Sequence, residues 1–128
     1  MTTADGAVLE ADNLHITAEN ADLTTNVKDL SGNVTGSISV TDKGSITVTG
    51  TLTAGEDVSI QAAENGNITV SGIIHAANTF LRGAAKIIVT VKDTMGNLGV
   101  ETSDREDSSA DIKLESCDRS QDLNITTP

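Results

Sequence analysis

The residues best suited to metal or acid–base chemistry form the run Asp104-Arg105-Glu106-Asp107, with Asp111 beyond it. Clustered carboxylates of this kind serve acid–base catalysis or bind a hard cation such as Ca²⁺. A solvated polar loop has the same composition, and we favour that interpretation. The Gly-Gly-x-Gly-x-Asp repeat of calcium-binding β-rolls is missing. Calcium-driven folding is therefore not expected, whereas weak calcium binding at Asp104–Asp107 stays open.

The other candidate ligands and nucleophiles are isolated. His15 and His75 are the two histidines, and no H-x-x-x-H spacing joins a pair. Both fall on odd positions, which the rhythm described below places outward. Cys117 is the single cysteine, so an intrachain disulfide is ruled out, and we interpret it as an incidental thiol. The sequence thus predicts no catalytic, cofactor-binding or metal-binding residue and no enzyme activity.

Four hydroxyl residues form a short T-x-T-like pattern. They are Thr47, Thr49, Thr69 and Ser71. Ice-binding solenoids present flat threonine arrays, so this alternative has to be weighed. One turn away the pattern is expected to be lost, at Thr25, Val27, Val91 and Asp93. Strand propensity accounts for such threonines without any ligand.

The composition indicates the class of protein. Among 128 residues there is one Phe, no Trp and no Tyr. Small and β-branched residues, which suit pleated strands, take their place. The formal net charge of −11 opposes binding to nucleic acid, and no basic stripe or aromatic platform is present. The missing Trp and Tyr also disfavour a carbohydrate-active or carbohydrate-binding β-helix, because such surfaces stack aromatic rings on sugars.

An internal repeat with an offset of 22 relates two segments, because residues 44–50 (GSITVTG) match residues 66–72 (GNITVSG). The same offset predicts three apolar ladders. They are Val8-Leu30-Leu52-Ile74, Ile16-Ile38-Ile60 and Ala18-Val40-Ala62-Ala84. Within one period apolar and polar residues alternate, as in strands with one buried face. Even positions from Ile46 to Ala62 are expected to point inward, and Gly50, Gly55 and residues 64–66 to supply positive-φ corners.

Three strands and three corners per period predict a right-handed parallel β-solenoid of about six coils, each of 22–23 residues with a triangular cross-section. An antiparallel sandwich also uses short alternating strands, but it has no reason to keep a constant ladder. We predict one solenoid domain over residues 1–128. Its regular coils cover about 6–84, and looser coils follow at 85–128 with a polar loop at 103–110.

The rhythm weakens towards both ends. A step of 22 from Ile60 lands on Arg82, which is polar where an apolar residue is expected. Further on, a step of 23 maps Val89, Val91 and Val100 onto Ile112, Leu114 and Leu123. At the other end, Thr24 and Asn26 occupy the positions of Ile46 and Val48. Atypical terminal coils are expected of a solenoid.

Residues 51–60 (TLTAGEDVSI) followed by residues 66–72 (GNITVSG) resemble the repeats of filamentous-haemagglutinin-type exoproteins. These are large bacterial surface or secreted proteins whose shafts are right-handed parallel β-helices. The resemblance covers residues 36–84 best and the remainder by rhythm alone. It implies an extracellular or cell-surface location and a structural role, although adhesins, toxin-delivery stalks and matrix fibres share such shafts.

The leading functional hypothesis is a structural, non-catalytic solenoid. It is either a subunit of a self-assembling surface or matrix fibre or the shaft segment of a larger adhesin-like exoprotein. No amphipathic helical segment caps either end, so homotypic end-to-end association through exposed coil edges is the expected partnership. A cytosolic polymer of the bactofilin kind is the alternative, although bactofilin coils are shorter than the repeat found in this sequence.

Two sequence features bear on location. No run of about 20 apolar residues is present, so no membrane insertion is expected. The start, Met1–Gly6, lacks the basic and apolar regions of a signal peptide. The chain is therefore expected to be either cytosolic or a mature or excised piece with an added methionine. The second option fits the resemblance better.

Overall fold

The computed structural model describes residues 2–4, 6–91, 96–104, 106–114 and 124–126, with only the backbone of Val91, Leu114 and residues 124–126. The described chain is all-β. Its strands are β1 (Leu9–Ala18), β2 (Ala21–Val34), β3 (Ile38–Asp42), β4 (Ile46–Val48), β5 (Thr51–Ala54), β6 (Asp57–Gln61), β7 (Asn67–Val70), β8 (Ile73–His75), β9 (Asn78–Arg82), β10 (Lys86–Val91), β11 (Asn97–Glu101), β12 (Ser109–Leu114) and β13 (Asn124–Thr126).

Every pairing between these strands is parallel, and together they form a β-solenoid of about five coils, close to the six expected. One coil contributes three strands, which stack on the three strands of the next coil. Thus β3, β4 and β5 pair with β6, β7 and β8 in turn. The predicted fold class, a parallel solenoid with three sides to each coil, is confirmed.

We name the three sides by their strands. Face A contains β3, β6, β9, β11 and β13, face B contains β4, β7, β10 and β12, and face C contains β5 and β8. The long strand β2 passes through all three faces, because it pairs with β3, β4 and β5 along its length. Strand β1 lies beside β2 over Leu9–Ala18 as the first rung of the stack.

The interior consists of stacked apolar side chains, mostly Ile, Leu and Val. On face A one inward row is Leu23, Val40, Ile60, Leu81 and Val100, each paired with the next. On face B, Ile46, Ile68 and Ile87 form an equivalent row. All of these side chains are at most 3% exposed. Burial of such rows between neighbouring coils is the main source of stability in a solenoid.

The constant step predicted from the repeat is wrong outside one coil. A step of 22 holds where β4 pairs with β7 and β5 pairs with β8. Elsewhere the coils differ in length: Leu9 pairs with Thr25, Ile38 with Val58 and Ile68 with Ile87, so the step is 16, 20 and 19 in turn. The physical reason is that the corners differ in length while the strands keep their register.

The predicted ladders change accordingly. Ile38 pairs with Val58, and Val40 pairs with Ile60. The predicted Ile16-Ile38-Ile60 ladder and the predicted Val40-Ala62 step are therefore wrong. Ile60 pairs with Leu81, which removes the apparent defect at Arg82. Val8, expected in the core, is 39% exposed.

Near the C-terminus one predicted step is confirmed and one is wrong. Val89 pairs with Ile112 and Val91 with Leu114, as expected from the step of 23. Strand β11, however, pairs with β13 at a step of 27, since Leu98 meets Ile125. Leu123 itself lies outside the described residues.

Glycines at the corners have a different role from the one predicted. The positive-φ glycines are Gly6, Gly32, Gly83 and Gly96, and Gly50, Gly55 and Gly66 are not among them. Gly55 and Gly66 instead allow two coils to approach closely. A β-carbon at Gly55 would lie 2.0 Å from the carbonyl oxygen of Thr35, a distance that no side chain tolerates.

Candidate functional site

The histidines lie where the alternation places them, on the outside. Both are exposed, and each occupies an outward row of face C. His15 pairs with Ser31, and His75 pairs with Thr53, so three rungs of roughly 4.8 Å separate their strands. The Nδ1 atom of His15 lies 3.0 Å from the Ser31 hydroxyl. The two rings are therefore not brought together into a shared site.

The acidic run lies in the corner between β11 and β12. Asp104, Glu106 and Asp107 are exposed there, whereas Arg105 lies outside the described residues. Within the ranges that the structure describes, no group of three or more His, Cys, Asp or Glu side chains is arranged to hold a metal ion. The corner is stabilised by hydroxyl contacts, in which Ser103 donates to the carbonyl oxygen of Glu64 and lies 2.8 Å from the Ser108 hydroxyl.

A groove of about 460 Å³ lies beside this corner. It arises because the corner at residues 83–85 is short, while the corners at 62–66 and 102–108 on either side are longer. Charged groups of both signs line it, namely Arg82, Glu64, Glu101 and Asp104. Its walls are mainly polar, so it offers hydrogen-bonding groups rather than an apolar pocket for a small molecule. The repeat pattern did not predict this groove, because the groove depends on differences in corner length.

The hydroxyl pattern is less regular than an ice-binding array would need. Thr47 and Thr69 pair on face B as the repeat predicted. The expected neighbours are wrong, however: the rungs on either side are Asp29 and Ile88 instead of Thr25 and Val91. Asp93 lies outside the described residues.

Two of the threonine hydroxyls are also engaged within the protein. Thr47 donates to the Lys28 carbonyl oxygen, at 2.8 Å, and to Asp29. Thr49 donates to both carboxylate oxygens of Asp29 at 3.1 Å. These contacts tie neighbouring coils together, which is a structural role.

Two polar arrangements that the sequence pattern missed also join neighbouring coils. Asp42 is 2% exposed inside the first corner of its coil. Its carboxylate accepts hydrogen bonds from the Thr25 hydroxyl and from the amides of Val27 and Gly44. The Asp-x-Gly spacing of an Asx turn is the signal that could have identified Asp42.

The second arrangement is a ladder of side-chain amides on face A. Asn78 donates to Asp57 at 2.8 Å, and Asn97 donates to Asn78 at 2.8 Å. The three residues occupy the first position of β6, β9 and β11 and are paired in register. Each hydrogen bond therefore links one coil to the next.

The first rung of the solenoid exposes apolar surface. Within the part of the chain that the structure describes, β1 pairs with β2 alone. Leu9 and Ala11 pair with Thr25 and Val27, which are 0% and 2% exposed. Leu9 is nevertheless 37% exposed, although it continues an inward row. The unpaired strand edge and the exposed apolar residues Leu9 and Ala11 together make this end of the stack the best candidate interface.

Comparison with protein-family models, with curated proteins and with solved structures finds no match to this chain. In the described ranges, no helix is long and apolar enough to cross a membrane. Cys117 lies outside the described residues.

Proposed function

We propose that this chain is a structural, non-catalytic β-solenoid that associates end to end with other copies through its coil edges. The observation that carries the proposal is the first rung. Among the described strands, β1 has no partner on its outer side, and two residues of its inward row, Leu9 and Ala11, are exposed to solvent. Unpaired strand edges are templates for further strand addition, and covering the apolar row adds hydrophobic stabilisation.

We further propose an extracellular or cell-surface location, as a fibre subunit or as a shaft segment of a filamentous-haemagglutinin-type exoprotein. The parallel solenoid and the repeat at residues 51–60 and 66–72 support this assignment. A shaft spaces other functional parts, and its stacked coils provide length with little sequence constraint. Its acidic surface, with a net charge of −11, keeps the rod soluble.

A cytosolic polymer of the bactofilin kind is the second candidate, and one observation favours it. The offset of 22 in the sequence repeat by itself disfavours this class, because bactofilin coils are shorter. In the structure several coils are also shorter than the repeat, since Leu9 pairs with Thr25 and Ala21 with Ile38, at steps of 16 and 17.

Negative-stain electron microscopy across a concentration series tests the assembly. Thin filaments that lengthen with concentration are the expected result, and short particles of one size at every concentration would contradict fibre formation. Protease treatment of intact source cells tests the location. Loss of the protein while a cytosolic marker survives supports a surface location, whereas full protection of the protein supports the cytosolic polymer.

A further inference from the structure

The outer edge of β1 carries a symmetric pattern of inward and outward residues. Inward rows are identified by the β2 partners: Ala11 pairs with the buried Val27, and Leu14 pairs with the buried Leu30. Leu9 and Ile16 continue these rows on either side, and Ile16 is itself 0% exposed. Inward residues therefore lie at equal distances from the Asp12–Asn13 bond, in the pairs Ala11 with Leu14 and Leu9 with Ile16.

The outward residues follow the same symmetry. Glu10 and His15 lie at equal distances from the Asp12–Asn13 bond, and both are exposed. An antiparallel pairing of this edge with its own copy would thus place each inward residue from Leu9 to Ile16 against an inward one. It would also place the Glu10 carboxylate opposite the His15 imidazole at two equivalent positions. Residues directly opposite each other in antiparallel strands interact closely, and an imidazole N–H can donate a hydrogen bond to a carboxylate.

The charge at the centre of the edge is partly balanced within each copy. Asp12 would lie opposite Asn13 of the second copy and diagonally near the second copy's Asp12, but the Lys28 ammonium lies 3.5 Å from its carboxylate. Coil length also favours a pairing of like ends. The first coil is short, with a step of 16 from Leu9 to Thr25, whereas the last described steps are 23 and 27. Two first coils are therefore equal in length, whereas a first coil and a last coil differ by several residues.

We propose that the N-terminal edge of the solenoid is a two-fold interface, in which β1 pairs antiparallel with β1 of a second copy about the Asp12–Asn13 bond. This interface is isologous, so it closes after two copies. The inference rests on the proposed function in one respect, namely that copies of the chain contact each other through an end of the coil stack. A filament would need a second joint at the other end of the stack.

His15→Glu tests the pairing by sedimentation equilibrium of the full chain. The wild type is expected to populate a species of twice 13.2 kDa. The introduced carboxylate would face Glu10 of the second copy at two positions, which should raise the dissociation constant by roughly tenfold or more. His75→Glu is the matched control, since it makes the same change on the same face at β8, three rungs from β1, and should leave the constant unchanged. Adding Glu10→Lys to His15→Glu places opposite charges at the two positions and should recover the dimer.

A distance measurement separates the two-fold contact from head-to-tail stacking. A spin label at Asn13→Cys, in a chain whose Cys117 is changed to Ser, should report a separation within about 15 Å between copies paired at β1. Head-to-tail stacking would separate the labels by the length of one stack, roughly 25 Å or more.

The outcomes distinguish the two proposals. Dimers with the short distance and no filaments support the two-fold edge and contradict the fibre. Filaments with the long distance, unaffected by His15→Glu, overturn the two-fold edge and leave end-to-end assembly standing. A monomer at every concentration overturns both.

Discussion

Asp42 lies directly beside Thr25 on the neighbouring coil, and its Oδ1 atom accepts a hydrogen bond of 2.7 Å from the Thr25 hydroxyl. Both side chains are at most 2% exposed, in an interior that is mainly apolar. The same carboxylate accepts from the amides of Val27 and Gly44. One side chain thus satisfies three donors where β2 bends and where β3 ends, and it holds two corners in place.

Replacing Asp42 by Ala should therefore destabilise the protein strongly. Three buried or half-buried donors would lose their acceptor, and a loss of about 3 kcal/mol is expected because each unsatisfied group costs about 1–3 kcal/mol. Urea unfolding followed by circular dichroism measures this change. Asp22→Ala is the control, since Asp22 is an exposed residue near the start of the same β2 strand, and it should change the free energy of unfolding by less than about 0.5 kcal/mol. Equal losses in the two variants would contradict the role of Asp42.

The ladder of side-chain amides on face A predicts that changing one amide to a carboxylate lowers the stability of the protein. Asn78→Asp replaces the Nδ2 donor to Asp57 by an acceptor and sets two carboxylates against each other. We expect a loss of about 1–2 kcal/mol, from the missing hydrogen bond and the like-charge contact. Thermal unfolding measures this loss of stability. Asn33→Asp is the control, because it makes the same chemical change at an exposed position of face C. If Asn33→Asp is as destabilising as Asn78→Asp, the ladder makes no specific contribution.

Two glycines of the repeat should respond differently to the same substitution. A β-carbon at Gly72 would lie 2.1 Å from the Gly50 carbonyl oxygen, whereas a β-carbon at Gly50 meets nothing within 4 Å. Gly72→Ala is thus expected to cost about 1–3 kcal/mol through overpacking. Gly50→Ala should change stability by less than about 0.5 kcal/mol. Chemical denaturation of the pair measures both, and a tolerated Gly72→Ala would show that the two coils are farther apart than described.

Adjacent residues on β9 should distinguish the observed register from the constant repeat. Leu81 pairs with Ile60 and is 0% exposed, whereas Arg82 is exposed beside Gln61. Leu81→Ala should cost about 2–5 kcal/mol by leaving a cavity in the stack. Arg82→Ala should stay within about 0.5 kcal/mol. The reverse order of losses in urea unfolding would favour the constant step of the sequence repeat.

The alternation of strands could be predicted from the sequence because it is local. The inward positions predicted between Ile46 and Ala62 are as expected, with Val48, Leu52 and Ile60 buried. The coil-to-coil register could not be predicted, because an even step of any length keeps inward residues inward. Ladders drawn at a step of 22 therefore look apolar even where the true step is 16 or 20, as between Leu14 and Leu30 or between Val40 and Ile60.

The breakdown of the repeat has the same origin. Ile60 pairs with Leu81 and Ile68 with Ile87, at steps of 21 and 19, and an odd step moves the inward row to odd positions. This change explains why Arg82 interrupts the sequence repeat without interrupting the core. Asp42 and the groove near Arg82 depend on corner lengths, which strand periodicity does not specify.

Both proposals depend on the chain being a rod of parallel coils in the described register. Backbone and methyl nuclear Overhauser contacts of the full chain measure that register. We predict methyl contacts that join Val40, Ile60 and Leu81 in sequence and Ile46, Ile68 and Ile87 in sequence. Close Hα–Hα contacts between these strands would contradict the parallel rod, since they mark antiparallel pairs with Cα atoms about 4.5 Å apart.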